Sequence, residues 1–155
     1  MAQRTNVQRA NDKNKKILLV EDNACLREIV SQILTDDYRI TEAESGEEAI
    51  EALQSKDFDL VITDLNMGEV NGIEVLKKAK ALNPETMVII MTANHDVTYY
   101  HEALELDACD YLLKPFKLTE LLERVSQCLR KRESTAGKGK SIMHKTGSKD
   151  TMVNV

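Results

Sequence analysis

Five short apolar runs alternate with five amphipathic stretches along the chain. Lys16-Ile17-Leu18-Leu19-Val20 is the first run, and Leu60-Val61-Ile62-Thr63, Met87-Val88-Ile89-Ile90-Met91 and residues 108–113 repeat its character. Apolar runs with β-branched members, bounded by turn residues, suit strands buried on both faces of a parallel sheet. The run Tyr38-Arg39-Ile40-Thr41-Glu42-Ala43 is more polar and predicts a strand at a sheet edge. Between the runs the period changes to that of a helix. Leu26, Ile29, Val30, Ile33 and Leu34 follow Asn23, a candidate N-cap. Ser45-Gly46-Glu47-Glu48 has the form of a capping box and opens a helix to about Gln54 that buries Ala49, Ile50, Ala52 and Leu53. Residues 73–82, 96–106 and 118–132 predict the remaining helices, the last facing inward through Leu121, Leu122, Val125, Cys128 and Leu129. Five strand–helix units with right-handed crossovers give an α/β fold: a doubly wound, five-stranded parallel sheet in the order 2-1-3-4-5, sandwiched in three layers.

Composition adds boundaries to this pattern. With 155 residues, 42% hydrophobic and 30% charged, the chain suits one domain with a full core. Residues 1–14 are polar and aperiodic, and residues 133–155 shift to Ser, Thr, Gly and Lys; both predict disordered tails around a domain at 15–132. The two ends carry formal charges of +4 (residues 1–16) and +2 (residues 133–155), so a total of −5 leaves −11 on residues 17–132. An acidic domain with few aromatics and no Trp argues against nucleic-acid contact by this chain. No run approaches a membrane span or a signal peptide, so the expected location is cytoplasmic, away from membranes. Cys25, Cys109 and Cys128 lack metal-ligand or CxxC spacing, and reduced thiols are the expectation.

The ends of the strands carry the chemistry. Glu21-Asp22 follows the first strand, Asp64 the third, Thr92 the fourth and Lys114 the fifth. In open parallel sheets ligands gather just beyond the carboxyl ends of the strands, so these groups converge. Carboxylates held together raise one another's pKa unless a cation is present, and a few hard oxygen ligands near a phosphate suit Mg²⁺. An Asp beside such a cation is a nucleophile towards phosphorus, with the Lys114 ammonium and Thr92 hydroxyl stabilising the transferring phosphoryl oxygens. Gly68 and Gly72, in the loop after Asp64, are positions where the backbone can take φ > 0.

In the motifs Leu19-Val20-Glu21-Asp22-Asn23, Asp64-Leu65-Asn66-Met67, Gly72, Met91-Thr92-Ala93 and Asp110-Tyr111-Leu112-Leu113-Lys114-Pro115-Phe116, the chain resembles the CheY-like receiver domain of bacterial response regulators from about Lys16 to Arg132. The resemblance implies a flavodoxin-like sandwich and two-component signalling rather than an enzyme acting on a separate substrate. It implies that Asp64 accepts a phosphoryl group from a histidine kinase or histidine phosphotransfer protein. Mg²⁺ would be held by Asp22, Asp64 and the Asn66 carbonyl, with Glu21 assisting. Thr92 and Lys114 would contact the phosphoryl oxygens, with Thr92 and Tyr111 as the switch. Output would pass to a downstream protein over the fourth helix, fifth strand and fifth helix, from a monomer or a weak phosphorylation-dependent dimer.

Three positions depart from the family pattern. Gly68 stands where Pro is frequent, Asp107 where Gly is frequent, and Tyr100 where a small residue is frequent. Asp107 would cost about 1 kcal/mol if the backbone there is left-handed. Tyr99 and Tyr100, beside His95 and His101, form either a partner surface or aromatic packing along the helix. In the family that the chain resembles, the residues two after the acceptor Asp and two after the Thr tune acyl-phosphate hydrolysis. Here they are Asn66 and Asn94, neither bulky nor basic, and the resemblance thus implies hydrolysis over seconds to minutes. Three readings follow: a single-domain phosphoacceptor, the receiver fragment of a larger DNA-binding transcriptional regulator, or a flavodoxin-like cofactor binder. The last would require a phosphate-cradling loop after the first strand, where Glu21-Asp22 instead repels phosphate.

Overall fold

The computed structural model describes Val7 and residues 11–142. Among the described residues five strands, β1 (Lys16–Val20), β2 (Arg39–Ala43), β3 (Leu60–Asp64), β4 (Met87–Thr92) and β5 (Asp110–Leu113), are each followed by a helix. These helices are α1 (Ala24–Thr35), α2 (Gly46–Ser55), α3 (Gly72–Leu82), α4 (Val97–Glu105) and α5 (Leu118–Ile142). The sheet is parallel throughout in the order β2-β1-β3-β4-β5, as the alternation predicts.

Successive side chains on a strand point to opposite faces, which divides the core in two. Leu18, Val20, Val61, Val88 and Ile90 pack with Ala49, Leu53, Leu76 and Ala103 beneath α2, α3 and α4. Ile17, Leu19, Leu60, Ile62, Ile89 and Met91 pack with Val30, Leu34, Leu121 and Val125 beneath α1 and α5. Each fully buried Val, Leu, Ile or Met side chain among these contributes about 1.5–3 kcal/mol relative to exposure, so the central strands are held from both sides. The more polar β2 does occupy a sheet edge. Among the described residues no helix is long and apolar enough to cross a membrane.

Several details differ from the sequence reading. Ile29 is 42% exposed, while Ser31 is buried in its place, its hydroxyl donating to Glu42 Oε2 at 3.0 Å. The apolar stripe of α1 is wide enough that spacing alone does not settle which edge turns inward. Helix α5 runs to Ile142, ten residues past the expected boundary at Arg132. An established helix extends at little cost per residue, whereas a composition argument asks only whether a segment can fold alone. Lys15 Nζ also ties Glu133 to the start of the domain at 2.9 Å. The rest of that expected tail, residues 143–155, lies outside the described residues, as do residues 1–6 and 8–10 of the N-terminal one. Asn11 and Asp12, expected in the N-terminal tail, are helical, and their carbonyls accept from the Asn14 and Lys15 amides.

Cys109 and Cys128 are joined as a disulfide, with their Cα atoms 6.1 Å apart, which corrects the expectation of reduced thiols. The start of β5 and the inner face of α5 meet only in the tertiary fold, so a separation of 19 residues gives no sign of it. Cys25 is free and exposed. Asp107 has φ 67°, the left-handed geometry considered for it. It ends α4 in a Schellman arrangement, with the Asp107 amide donating to the Leu104 carbonyl and the Ala108 amide to that of Ala103.

Candidate functional site

Because the strands are parallel and in register, their C-terminal ends lie along one edge. Val20 pairs with Thr63, Asp64 with Met91, and Thr92 with Leu113. The residues that follow β1 and β5, and those that close β3 and β4, therefore meet. Glu21, Asp22 and Asp64 each offer a carboxylate oxygen within 4.8 Å of the others. Glu21 and Asp64 are buried and Asp22 is exposed, so the cluster has one open side. Lys114 reaches across from β5 and donates to Glu21 Oε1 at 2.6 Å and to Asp64 Oδ2 at 3.2 Å. The peptide joining Lys114 to Pro115 is cis.

Neighbouring groups hold these side chains in place. The Glu21 amide donates to the Ala43 carbonyl, and its Oε2 accepts from the Asn23 amide at 3.2 Å. Arg27 clamps the same turn, donating to the Glu21 carbonyl at 2.8 Å while pairing with Glu42 at 3.3 Å. Asn23 caps α1 by accepting from the Leu26 amide. The loop after Asp64 closes on itself where the Gly72 amide donates to the Leu65 carbonyl at 2.8 Å. A Cβ on Gly72 would strike the Asp64 carbonyl and lie 2.9 Å from Leu65 Cα. Gly72 is thus required for close approach rather than for the positive φ expected of it, which belongs to Gly68 at 73°. Asn66 lies on the exposed part of this loop.

Burial pushes the Glu21 carboxyl up to about 7, opposed by hydrogen bonds from Lys114 and the Asn23 amide and reinforced by the Asp64 charge. For Lys114, burial acts to lower the pKa, but the hydrogen bond to Glu21 and the charge of Asp64 outweigh it and raise it. With all three carboxylates ionised, one ammonium leaves the cluster short of positive charge. The Lys114 ammonium already occupies part of a site suited to cations. An all-oxygen donor set with an open side also fits a hard divalent ion that retains water, so the residues present suit Mg²⁺.

Thr92 is fully buried, and its Oγ1 accepts from the Asn94 amide at 2.9 Å. The Lys114 amide donates to the Thr92 carbonyl at 2.7 Å, so the hydroxyl and the ammonium share one backbone frame. Tyr111 turns inward beneath α4, its hydroxyl buried without a hydrogen bond among the described residues. Tyr100 meets the Tyr111 ring edge-on at 5.3 Å and remains 42% exposed. That packing places Tyr111 against α4. Sequence reasoning named the acids, Thr92, Lys114 and Tyr111, but not Arg27. Its guanidinium, six residues after Glu21, was hidden because a surface charge on a helix carries no pattern of its own.

The fold is a doubly wound sheet with acids, a hydroxyl and an amine gathered at its C-terminal edge. Residues 17–126 match the family model described as response regulator receiver domain, and the chain belongs to that family. It is 40% identical over 114 residues to the transcriptional regulatory protein ZraR of Klebsiella oxytoca, covering 73% of this chain and 26% of that protein. A CheY-like receiver domain protein from Methanospirillum hungatei superposes with a TM-score of 0.75 at 27% identity, covering 77% of this chain and 97% of the other. The response regulator TrrA of Thermotoga maritima, solved in complex with Mg²⁺ and BeF, gives 0.67 at 32% identity, covering 74% and 99%. The chain therefore spans about a quarter of the length of ZraR. The name of that relative also gives no support to the expectation of a chain that makes no nucleic-acid contact.

Proposed function

We propose that this receiver domain is a phosphoacceptor, with Asp64 taking a phosphoryl group from a histidine kinase or histidine phosphotransfer protein. The observation that carries the reading is the Lys114 ammonium held between Glu21 and Asp64, beside Asp22, at the mouth of the sheet. An Asp64 oxygen attacks phosphorus in line, and the P–N bond to the donor imidazole breaks as the new P–O bond forms. Glu21, Asp22, Asp64 and the Asn66 carbonyl would hold Mg²⁺, which when bound neutralises charge on the phosphoryl oxygens. Lys114 shifts from Glu21 towards the new oxyanion. The Thr92 hydroxyl donates to another phosphoryl oxygen.

Phosphorylation of Asp64 replaces one carboxylate charge by a phosphoryl group carrying about −1.5 to −2, and biases the β4–α4 region through Thr92. Tyr111, already inward and with no hydrogen bond to its hydroxyl among the described residues, packs where Thr92 leaves space as it moves. The surface that registers the change is α4, β5 and α5, where Val97, Tyr100, Leu104 and Leu113 expose apolar area to a downstream protein. Asn94 turns its Oδ1 to the Asp96 amide, and with Asn66 exposed on its loop, water reaches the phosphorus within seconds to minutes.

The test is incubation with acetyl phosphate and Mg²⁺, read by intact mass. The native chain gains one phosphoryl group, while Asp64→Asn does not and Lys114→Ala gains it at least about tenfold more slowly, as expected for loss of one charge-stabilising donor. An unmodified native chain under conditions that label other receivers would refute the proposal. A second reading, the receiver part of a longer DNA-binding regulator, is favoured by the ZraR relationship, in which the chain covers 26% of the relative. The genomic reading frame around this sequence decides between that and output through protein contact alone.

A further inference from the structure

The two paired cysteines lie at the opposite end of the strands from the carboxylates, and the signalling chemistry leaves them unused. Cys109 sits just before β5, its amide bonded to the Val88 carbonyl, while Cys128 lies on the inner face of α5. Their access differs. Cys128 is 2% exposed, whereas Cys109 lines a cavity of about 670 Å³ between α3, the starts of β4 and β5, and the outer turns of α5. That volume falls in the range of about 300–1,000 Å³ typical of small-molecule sites.

The cavity wall carries three cations and two acids. Lys80, Lys131 and Arg132 line it, against Glu85 and Asp107. Arg132 is fixed there by Asp59 at 2.9 Å and by the Glu85 carbonyl at 3.1 Å. The Lys80 ammonium is 3.4 Å from the Pro84 carbonyl and 3.8 Å from Asp107. Positive charge near a thiol favours the thiolate, and it attracts carboxylate-bearing reagents into a partly enclosed space.

We infer that Cys109 and Cys128 form a reversible thiol–disulfide site, entered through this cavity by an anionic low-molecular-weight disulfide of about tripeptide size. The Cys109 thiolate attacks one sulfur of the small disulfide, whose S–S bond breaks and releases one small thiolate. The Cys128 thiolate then attacks the Cys109 sulfur, closing the protein disulfide and releasing the second. Two protein thiols lose two electrons and two protons, and the small disulfide gains both to become two thiols. The reverse sequence, driven by an excess of the small thiol, opens the pair. Exposure sets the order, because only Cys109 faces the cavity while Cys128 can reach only its partner.

The full chain carrying Cys25→Ser, reduced, is treated with oxidised glutathione or with neutral hydroxyethyl disulfide, and the products are mapped by mass spectrometry. Closure of the Cys109–Cys128 bond is expected with both reagents. A stable glutathione adduct on Cys109 is expected when Cys128→Ser is added, and none on Cys128 when Cys109→Ser is added. Lys80→Glu should slow oxidised glutathione about threefold or more relative to the neutral reagent, the scale of one charge lost from a partly screened cavity. Lys131→Glu, at an exposed position, gives the same readout should the first variant fail to fold. Closure that requires denaturant, an adduct formed on Cys128 instead, or an unchanged ratio between the two reagents in folded variants would overturn the inference.

Discussion

Glu21 decides how the carboxylate cluster responds to pH. Its pKa is pushed up to about 7 from 4.5 by burial. The folded, metal-free protein therefore holds a proton there that the unfolded chain has lost, and this stabilisation, complete below 4.5, disappears as pH rises through about 7. On the proposed reading Glu21 helps hold Mg²⁺ and must be deprotonated to do so, so the sign reverses for cation binding. Apparent Mg²⁺ affinity should weaken as pH falls below about 7, by at most about tenfold per unit for one proton, and Glu21→Gln should flatten that slope in calorimetric titrations. Asp107 offers a test of a different kind. Its left-handed φ of 67° penalises a side chain, so Asp107→Gly should raise stability by about 1 kcal/mol in urea unfolding. The exposed contact to Lys80 at 3.8 Å contributes little against that. Glu21 was legible because an acid directly after an apolar strand interrupts a regular pattern, and Asp107 because it stands where the resembled family frequently has Gly. Ser31 and Ile29 were not, since which edge of a helical stripe turns inward depends on the neighbour it meets, here Glu42 on β2. Gly72 was identified for the wrong reason, because the close approach of the Asp64 carbonyl is a contact between segments rather than a local dihedral preference.

Helix α5 and strand β5 carry the clearest departures from expectation. Their existence follows from period and apolar runs, and the fully buried β1, β3 and β4 were plain for the same reason. The length of α5 was not, because propagation past Arg132 draws on a helix already nucleated and docked. The disulfide that joins it to β5 was also invisible, since only folding brings Cys109 to Cys128. The ring of chain closed by that bond contains Lys114, so the strand bearing the ammonium is anchored to α5 from below. Opening a loop of 19 residues should lower the free energy of unfolding by about 3 kcal/mol, read as a fall in urea midpoint on reduction. A midpoint unchanged by reduction would show that packing of Leu121, Val125 and Leu129 alone holds α5 to the sheet.

Strand order, layering and the direction of every strand were legible from alternation alone, because right-handed crossovers leave few other arrangements. What the order achieves is the gathering of four strand ends into one site, and that gathering is what the phosphoacceptor reading depends on. Family membership establishes the kind of domain; the assignment of Asp64 rests on the geometry around Lys114. Borohydride trapping tests it most directly. The native chain is treated with acetyl phosphate and Mg²⁺, reduced, digested and sequenced by mass spectrometry. The prediction is homoserine at position 64, lost when the cation is chelated. Homoserine at another acidic position, or labelling that persists without a divalent ion, would contradict it.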